Sequence, residues 1–333
     1  MEHWIAVHLS MGASDMKKFL INILIFFGIV AAVDVAAGKV FWYLQTKAGG
    51  RTGAEYYACK ESNEDVIIMG SSRASHHYVP QIIADSLGLS CFNAGQDGNG
   101  IILQYGRWKM IYDRYTPKVV IYDINPGFDL VENDNMAYVD RLKPFASDRI
   151  VRDYIGEIFP MERLKLVSQM YRYNYKFIEM ASDYGKGIGN SGYLPLYGQI
   201  RQEVVDGYEN KVSSIVYDEA KLKYLESLAS ECKKKGVKLV FVVSPYYGGG
   251  SYDLGTFASV KEIADKNGAV FLYYNTDEYD YNPDYFKDSY HLNDNGAMTF
   301  SSDLAGKLKD AFSSDLAGKL KDARGTDSVL ISK

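Results

Sequence analysis

The chain has 333 residues, room for one large α/β domain or two ordinary ones, and its 47% apolar content can fill a sizeable core. A net charge of −5 and a pI near 5.6 exclude a global basic footprint for nucleic acid. The three cysteines, Cys59, Cys91 and Cys232, have no CxxC or metal-type spacing.

Lys17 and Lys18 precede FLINILIFFGIVAAV, an apolar run over 19–33 broken only by Asn22. Asp34 interrupts it and VAAGKVFWYL follows. A membrane-spanning helix needs about 20 apolar residues and a signal peptide core about 7–15, so the length lies on the border. The reading adopted is an uncleaved signal anchor over 1–45. A cleaved signal and an amphipathic core helix are the alternatives. Lysines on the inner side place the remainder outside the cytoplasm, and Trp42 and Tyr43 suit an interfacial belt. Met16 opens MKKFL and would serve as a start.

A polar linker is expected at about 46–63, then one domain over 46–333. Strand-length apolar runs stand at 65–69, 90–94, 118–124, 238–244 and 269–274. Helical periods fill 78–87, 99–114, 217–235 and 256–267, with a last helix from 293. Strands alternating with helices predict an α/β fold: a central parallel five-stranded sheet covered on both faces. Residues 127–212 break the rhythm with helical pieces and a glycine-rich loop, and are read as an insertion above the sheet. FSSDLAGKLKDA occurs at 300–311 and again at 312–323. Twelve residues rotate a helix by about 120° from one copy to the next, so one apolar stripe cannot serve both. The first copy is expected to pack on the sheet, the second to be exposed or frayed, and the last ten residues to be disordered.

Three strings approach known motifs without matching them. Gly187-x-Gly189-x-x-Gly192 lacks the strand before and the helix after that a dinucleotide fingerprint needs. HLNDNG, from His291, lacks the first Asp and last Glu of a calcium loop. Gly70-Ser71-Ser72-Arg73-Ala74 approaches a nucleophile elbow but follows the domain's first strand, where that motif does not fall.

Open parallel sheets bind ligands beyond the carboxyl ends of their strands. Those ends carry Gly70-Ser71-Ser72, FNAGQDGNG from Phe92, and YDINPG from Tyr122, and FKDSYHLNDNGA follows near the carboxyl terminus. A serine needs a base to take its proton. His291 can do so if Asp288, three residues earlier, holds its other ring nitrogen. The Ser72 and Gly98 N–H groups and the Asn125 amide can serve as oxyanion donors. Alternatives remain open at this point: Ser71 as the nucleophile, Ser72 as a helix cap, Asp288 and His291 capping the last helix, and Asn125 as turn chemistry. Arg73 and His76 are candidate substrate contacts, with an ion pair and a surface helix position as their alternatives.

GSSR, NAGQDG, DINP and DSYH, in this order, resemble the four blocks of the SGNH, or GDSL-like, hydrolases. The resemblance covers about 65–126 and 238–311. It implies a flavodoxin-like three-layer fold, Ser72 as nucleophile, Gly98 and Asn125 in the oxyanion hole, and the pair Asp288 and His291. The chain departs from the family pattern at Ser71, Arg73, Asp123 and Pro126, where Asp, Leu, Gly and Asp are usual. Its layout is similar to membrane-anchored bacterial members that modify acyl groups on surface polysaccharides. A serine esterase or O-acyltransferase on an envelope or exported polysaccharide is therefore expected. Tyrosines in the insertion and before the Asp-His pair fit a sugar-stacking surface, or equally a polar-rimmed core. A non-catalytic glycan-binding or scaffold protein is the second reading, and a lipid esterase the third. No metal or organic cofactor is implied, and an envelope protein partner is left unidentified.

Overall fold

The computed structural model describes residues 13–133, 135–207, 214–249, 252–274, 279 and 281–326; side chains of 13, 135–136 and 313–326 are not described. Five strands form one parallel sheet: β1 (Val66–Gly70), β2 (Cys91–Asn93), β3 (Val119–Asp123), β4 (Lys238–Val243) and β5 (Val270–Tyr273). Their order is β2-β1-β3-β4-β5, the flavodoxin-like arrangement. All five fall within the expected runs to one or two residues.

Alternate residues of the central strands face opposite layers, as the pleat requires. Ile67, Met69, Val120, Tyr122, Phe241 and Val243 enter one buried cluster. Val66, Ile68, Val119, Ile121, Val240 and Val242 enter the other. Both faces are apolar because both are covered. The first face carries α5 (Ile101–Arg114), α13 (Glu219–Lys235) and α14 (Ala258–Asn267). The second carries α4 (Pro80–Leu87) and α15 (Asp294–Thr326). Short α3 (Ser72–His77) leaves β1 directly.

The amino-terminal apolar stretch lies in one long helix, α1 (Ala13–Lys47), long and apolar enough to cross a membrane, and none of its most apolar window is buried in the protein. The expected polar linker is instead helix α2 (Gly50–Lys60). Its Thr52, Gly53, Glu55, Ala58 and Cys59 are buried. Polar letters hid this helix because Glu55 is neutralised inside, by Arg107 of α5 (2.8 Å) and by Lys176.

The 127–207 region holds short helices: α6 (Pro126–Asp129), α7 (Asn135–Asp140), α8 (Arg149–Ile158), α9 (Pro160–Lys165), α10 (Gln169–Tyr173), α11 (Phe177–Ser182) and α12 (Gln202–Asp206). Val139, Leu142, Val151, Tyr154 and Ile155 extend the first core over α5. Residues 188–200 then cross near the carboxyl ends of β1 and β2: Leu194 N–H donates to Ser75 O (3.0 Å), and Gly192 lies against Asn93 O. In the first copy of the carboxyl-terminal repeat, Phe300, Leu304, Ala305 and Leu308 are buried on the second face. The helix continues through the second copy, of which Phe312 is half-buried. The exposure of the rest of that copy, and residues 327–333, lie outside the described residues.

Candidate active site

The β1 end is built for close approach. Gly70 has φ +139°, a conformation side chains rarely adopt, and a Cβ there would meet Asp123 O at 2.8 Å. A Cβ on Gly95 would meet Ser75 N at 2.4 Å, so the glycine block lies directly on α3. Asn93 clamps the same junction, donating to Ala74 O (2.7 Å) and Tyr78 O (3.0 Å) and accepting from Gly95 N–H (2.9 Å).

Ser72 is the first residue of α3, so its N–H has no acceptor within the helix. The helix N-cap is Ser71, not Ser72. Ser72 Oγ lies 2.8 Å from His291 Nε2. His291 Nδ1 lies 3.0 Å from each carboxylate oxygen of Asp288. A bridge pairing Phe286 with Leu292 closes the loop that delivers both residues. Burial pushes the Asp288 carboxyl up, but the His291 ring and the backbone N–H groups of Tyr290 and His291 outweigh it, and its pKa is lowered. Asp288 is therefore an anion facing an imidazole N–H. Ser71 is fully buried and its Oγ accepts from Asn125 Nδ2 (3.2 Å).

Asn125 Oδ1 accepts from Gly127 N–H (3.1 Å), which fixes the amide with its nitrogen towards Ser71. Behind it, buried Asp129 accepts from Asn125 N–H (2.7 Å), Ile101 N–H (2.7 Å) and the Tyr122 hydroxyl (2.7 Å). Burial raises the Asp129 carboxyl to about 6 against those donors. Gly98 is exposed, with φ +68°, in the loop between β2 and α5. The structure thus brings Ser72, His291 and Asp288 into one hydrogen-bonded chain and Asn125 beside Ser71.

Arg73 is placed differently from a substrate contact. Its guanidinium is fully buried, paired with Asp123 (2.9 Å), bonded to Ser244 O (3.1 Å) and Ile124 O (2.5 Å), and stacked 3.9 Å over the Tyr246 ring. Asp123 also accepts from the Tyr78 hydroxyl (2.6 Å). Two departures from the family pattern, Arg73 and Asp123, are thus the two halves of one ion pair. His76 is buried as well, not a surface helix residue: Nδ1 faces Leu194 O (2.6 Å), Nε2 faces Asp97 (3.3 Å), and its ring stands 5.6 Å from that of His291. On the Asp97 side lies a polar cavity of ≈ 370 Å³, whose lining includes Arg51, Glu55, Gln96, Asp97, Lys176 and Asp183.

His77 carries a role that the sequence reading missed. Its Nε2 accepts from Leu292 N–H (3.0 Å), so Nδ1 is the protonated nitrogen and donates to Ser244 Oγ (2.9 Å). It grips the backbone one residue beyond His291. Burial first, then the charge of Arg73, holds its pKa well below the ordinary histidine value. The doubled HisHis was the available signal; only the packing separates the two roles.

The tyrosines divide. Tyr173, Tyr193, Tyr274 and Tyr279 are core residues, whereas Tyr197, Tyr281 and Tyr290 are exposed. Tyr290 adjoins His291 and has Tyr246 6.4 Å away in edge contact.

No family model matches the chain, and no curated protein matches it. Among solved structures, an acetyl xylan esterase (Est2A) from the rumen bacterium Butyrivibrio proteoclasticus is similar at a TM-score of 0.33 and 9% identity, over 74% of this chain and 64% of that one. The chain thus spans less than two thirds of that structure's length.

Proposed function

We propose that this protein is a serine-dependent esterase or O-acyltransferase that handles O-acyl groups on a cell-envelope or exported polysaccharide. The observation that carries this reading is the relay from Ser72 Oγ through both nitrogens of His291 to the Asp288 carboxylate. His291 takes the Ser72 proton as Oγ attacks the ester carbonyl, and Asp288 holds the imidazole in the tautomer that leaves Nε2 free to accept. Ser72 N–H, Gly98 N–H and the second Asn125 amide hydrogen receive the oxyanion. The alcohol leaves with the proton from His291. Water or a sugar hydroxyl then attacks the acyl-enzyme through the same base, and that choice alone divides hydrolase from transferase. Arg73 supports the turn that holds Ser72; it does not bind substrate.

The polysaccharide assignment rests on the polar surroundings. Exposed Tyr290 beside the base offers a sugar-stacking face, and the polar cavity next to Asp97 falls in the size range of small-ligand sites, about 300–1,000 Å³. Helix α1 is read as a membrane anchor, with the lysines cytoplasmic and the domain outside. A scaffold role would be favoured by a Ser72–His291 pair held apart, and the 2.8 Å contact speaks against it.

The test is covalent labelling of the full chain, in detergent, by a fluorophosphonate, together with turnover of p-nitrophenyl acetate. Wild type should label and turn over, and Ser72→Ala should do neither, a loss of about 10³-fold or more in rate. Folded wild-type protein that neither labels nor turns over, or a Ser72→Ala variant that keeps both, would overturn the reading.

A further inference from the structure

Helix α1 changes character at one residue. From Phe19 to Val33 its apolar side chains are exposed apart from half-buried Ile23, a length of about 22 Å, so a hydrocarbon layer of about 30 Å reaches past Val33 to the level of the domain. From Asp34 onward a stripe at 34, 37, 38, 41, 44 and 45 packs on the domain, and Phe41 meets Tyr173 and Phe177. Asp34 itself caps the α9–α10 corner: it accepts from Ser168 Oγ (2.6 Å), Gln169 N–H (2.7 Å) and Met170 N–H (2.9 Å). The corner is thereby fixed at the level where the bare stretch ends. Its apolar side chains face solvent: Met161, Leu164, Val167 and Met170 recur every three residues, and Val167 is 75% exposed. Exposed Arg163 and Lys165 alternate with them, basic groups of the kind that a headgroup layer takes beside a buried apolar row.

We infer that the α9–α10 corner is a second membrane contact, seated in the headgroup–acyl boundary of the leaflet from which α1 emerges. This rests on the reading of α1 as an anchor. The occupant is lipid because the patch begins where the exposed apolar run of α1 stops, about 8 Å short of a full hydrocarbon thickness, and because Lys39, Trp42 and Tyr43 lie exposed just beyond, where a headgroup layer would meet them. One helix alone leaves the domain's tilt to the helix. A second contact sets that tilt and fixes the height of Ser72 above the surface.

The test uses the full chain in nanodiscs that contain phosphatidylcholine and phosphatidylglycerol and no other protein. Nitroxide labels go on Val167→Cys, Leu164→Cys, Phe27→Cys and Val216→Cys; the three native cysteines are buried, so the labels report the introduced sites. Val216 is 87% exposed and serves as the aqueous reference. Labels at 167 and 164 should collide with oxygen less often than the label at 27, and be protected several-fold from an aqueous nickel complex relative to the label at 216. If 27 is in lipid while 167 and 164 are as open to nickel as 216, the second contact is overturned and the anchor stands. If 27 is also in water, both fall.

Discussion

Arg73 and Asp123 show how two unusual residues can be one feature. Each alone reads as a departure from a known pattern; together they form a buried pair, capped by Tyr78 and stacked on Tyr246. Removing one half leaves an unpaired buried charge, so Arg73→Leu should cost about 3–5 kcal/mol. Arg73→Leu/Asp123→Gly should recover more than half of that loss in urea denaturation, although Tyr78 loses its acceptor. If the double variant is as unstable as the single, the two positions are not coupled. His77 acts at the same scale through backbone rather than substrate. His77→Phe keeps the ring but removes the acceptor for Leu292 N–H, worth about 1 kcal/mol, so kcat should fall several-fold to tenfold. KM should stay unchanged, because the loss falls on the placement of His291, not on substrate contacts.

At the scale of elements, α1 and α10 are joined by a carboxylate that an apolar helix would otherwise exclude. Asp34 interrupts the hydrophobic run because it satisfies the first amides of α10. Asp34→Ala should cost about 1 kcal/mol locally, seen as roughly fivefold faster hydrogen exchange at Gln169 and Met170 with other core amides unchanged. Unchanged exchange at both would show that the cap does not hold the corner. The same logic explains why α2 could not be read as a helix: its buried Glu55 has its partners on α5 and at the N-cap of α11, far away in sequence. The strands gave less difficulty, because burial on both faces keeps the runs of β1, β3 and β4 mostly apolar.

For the whole molecule, the buried titratable groups set opposed pH trends. His77 is held below its ordinary value of about 6.5, so the unfolded chain binds the proton more tightly, and its stabilising contribution, full above that value, is lost as pH falls. Asp129 is raised to about 6, so its contribution runs the other way, complete near pH 3.8 and lost as pH rises to about 6. Asp288, lowered, adds to the acid loss below its ordinary value. Folding stability should therefore begin to decline near pH 6.5 on acidification, and below about pH 6 the Asp129 gain offsets the His77 loss, so the net slope stays under the roughly 1.4 kcal/mol per pH unit of one proton. In His77→Phe the plateau should extend to lower pH. Urea midpoints measured from pH 8 to 4 check this; coincident profiles would show that His77 is not the first group to titrate.

The sequence by itself determined the parallel sheet, the five strands, the long apolar amino-terminal helix and the residue types gathered at the strand ends. These follow from local periodicity and from the rule that such sheets open their ligand sites at carboxyl ends, and both are written in neighbouring letters. Only the tertiary structure decided that Ser72, not Ser71, meets His291, that Arg73 faces inward, that His76 and His77 do different work, and that Asp34 reaches Ser168. Each of those depends on the direction of one side chain and on a partner tens to hundreds of residues distant, and no local pattern encodes either.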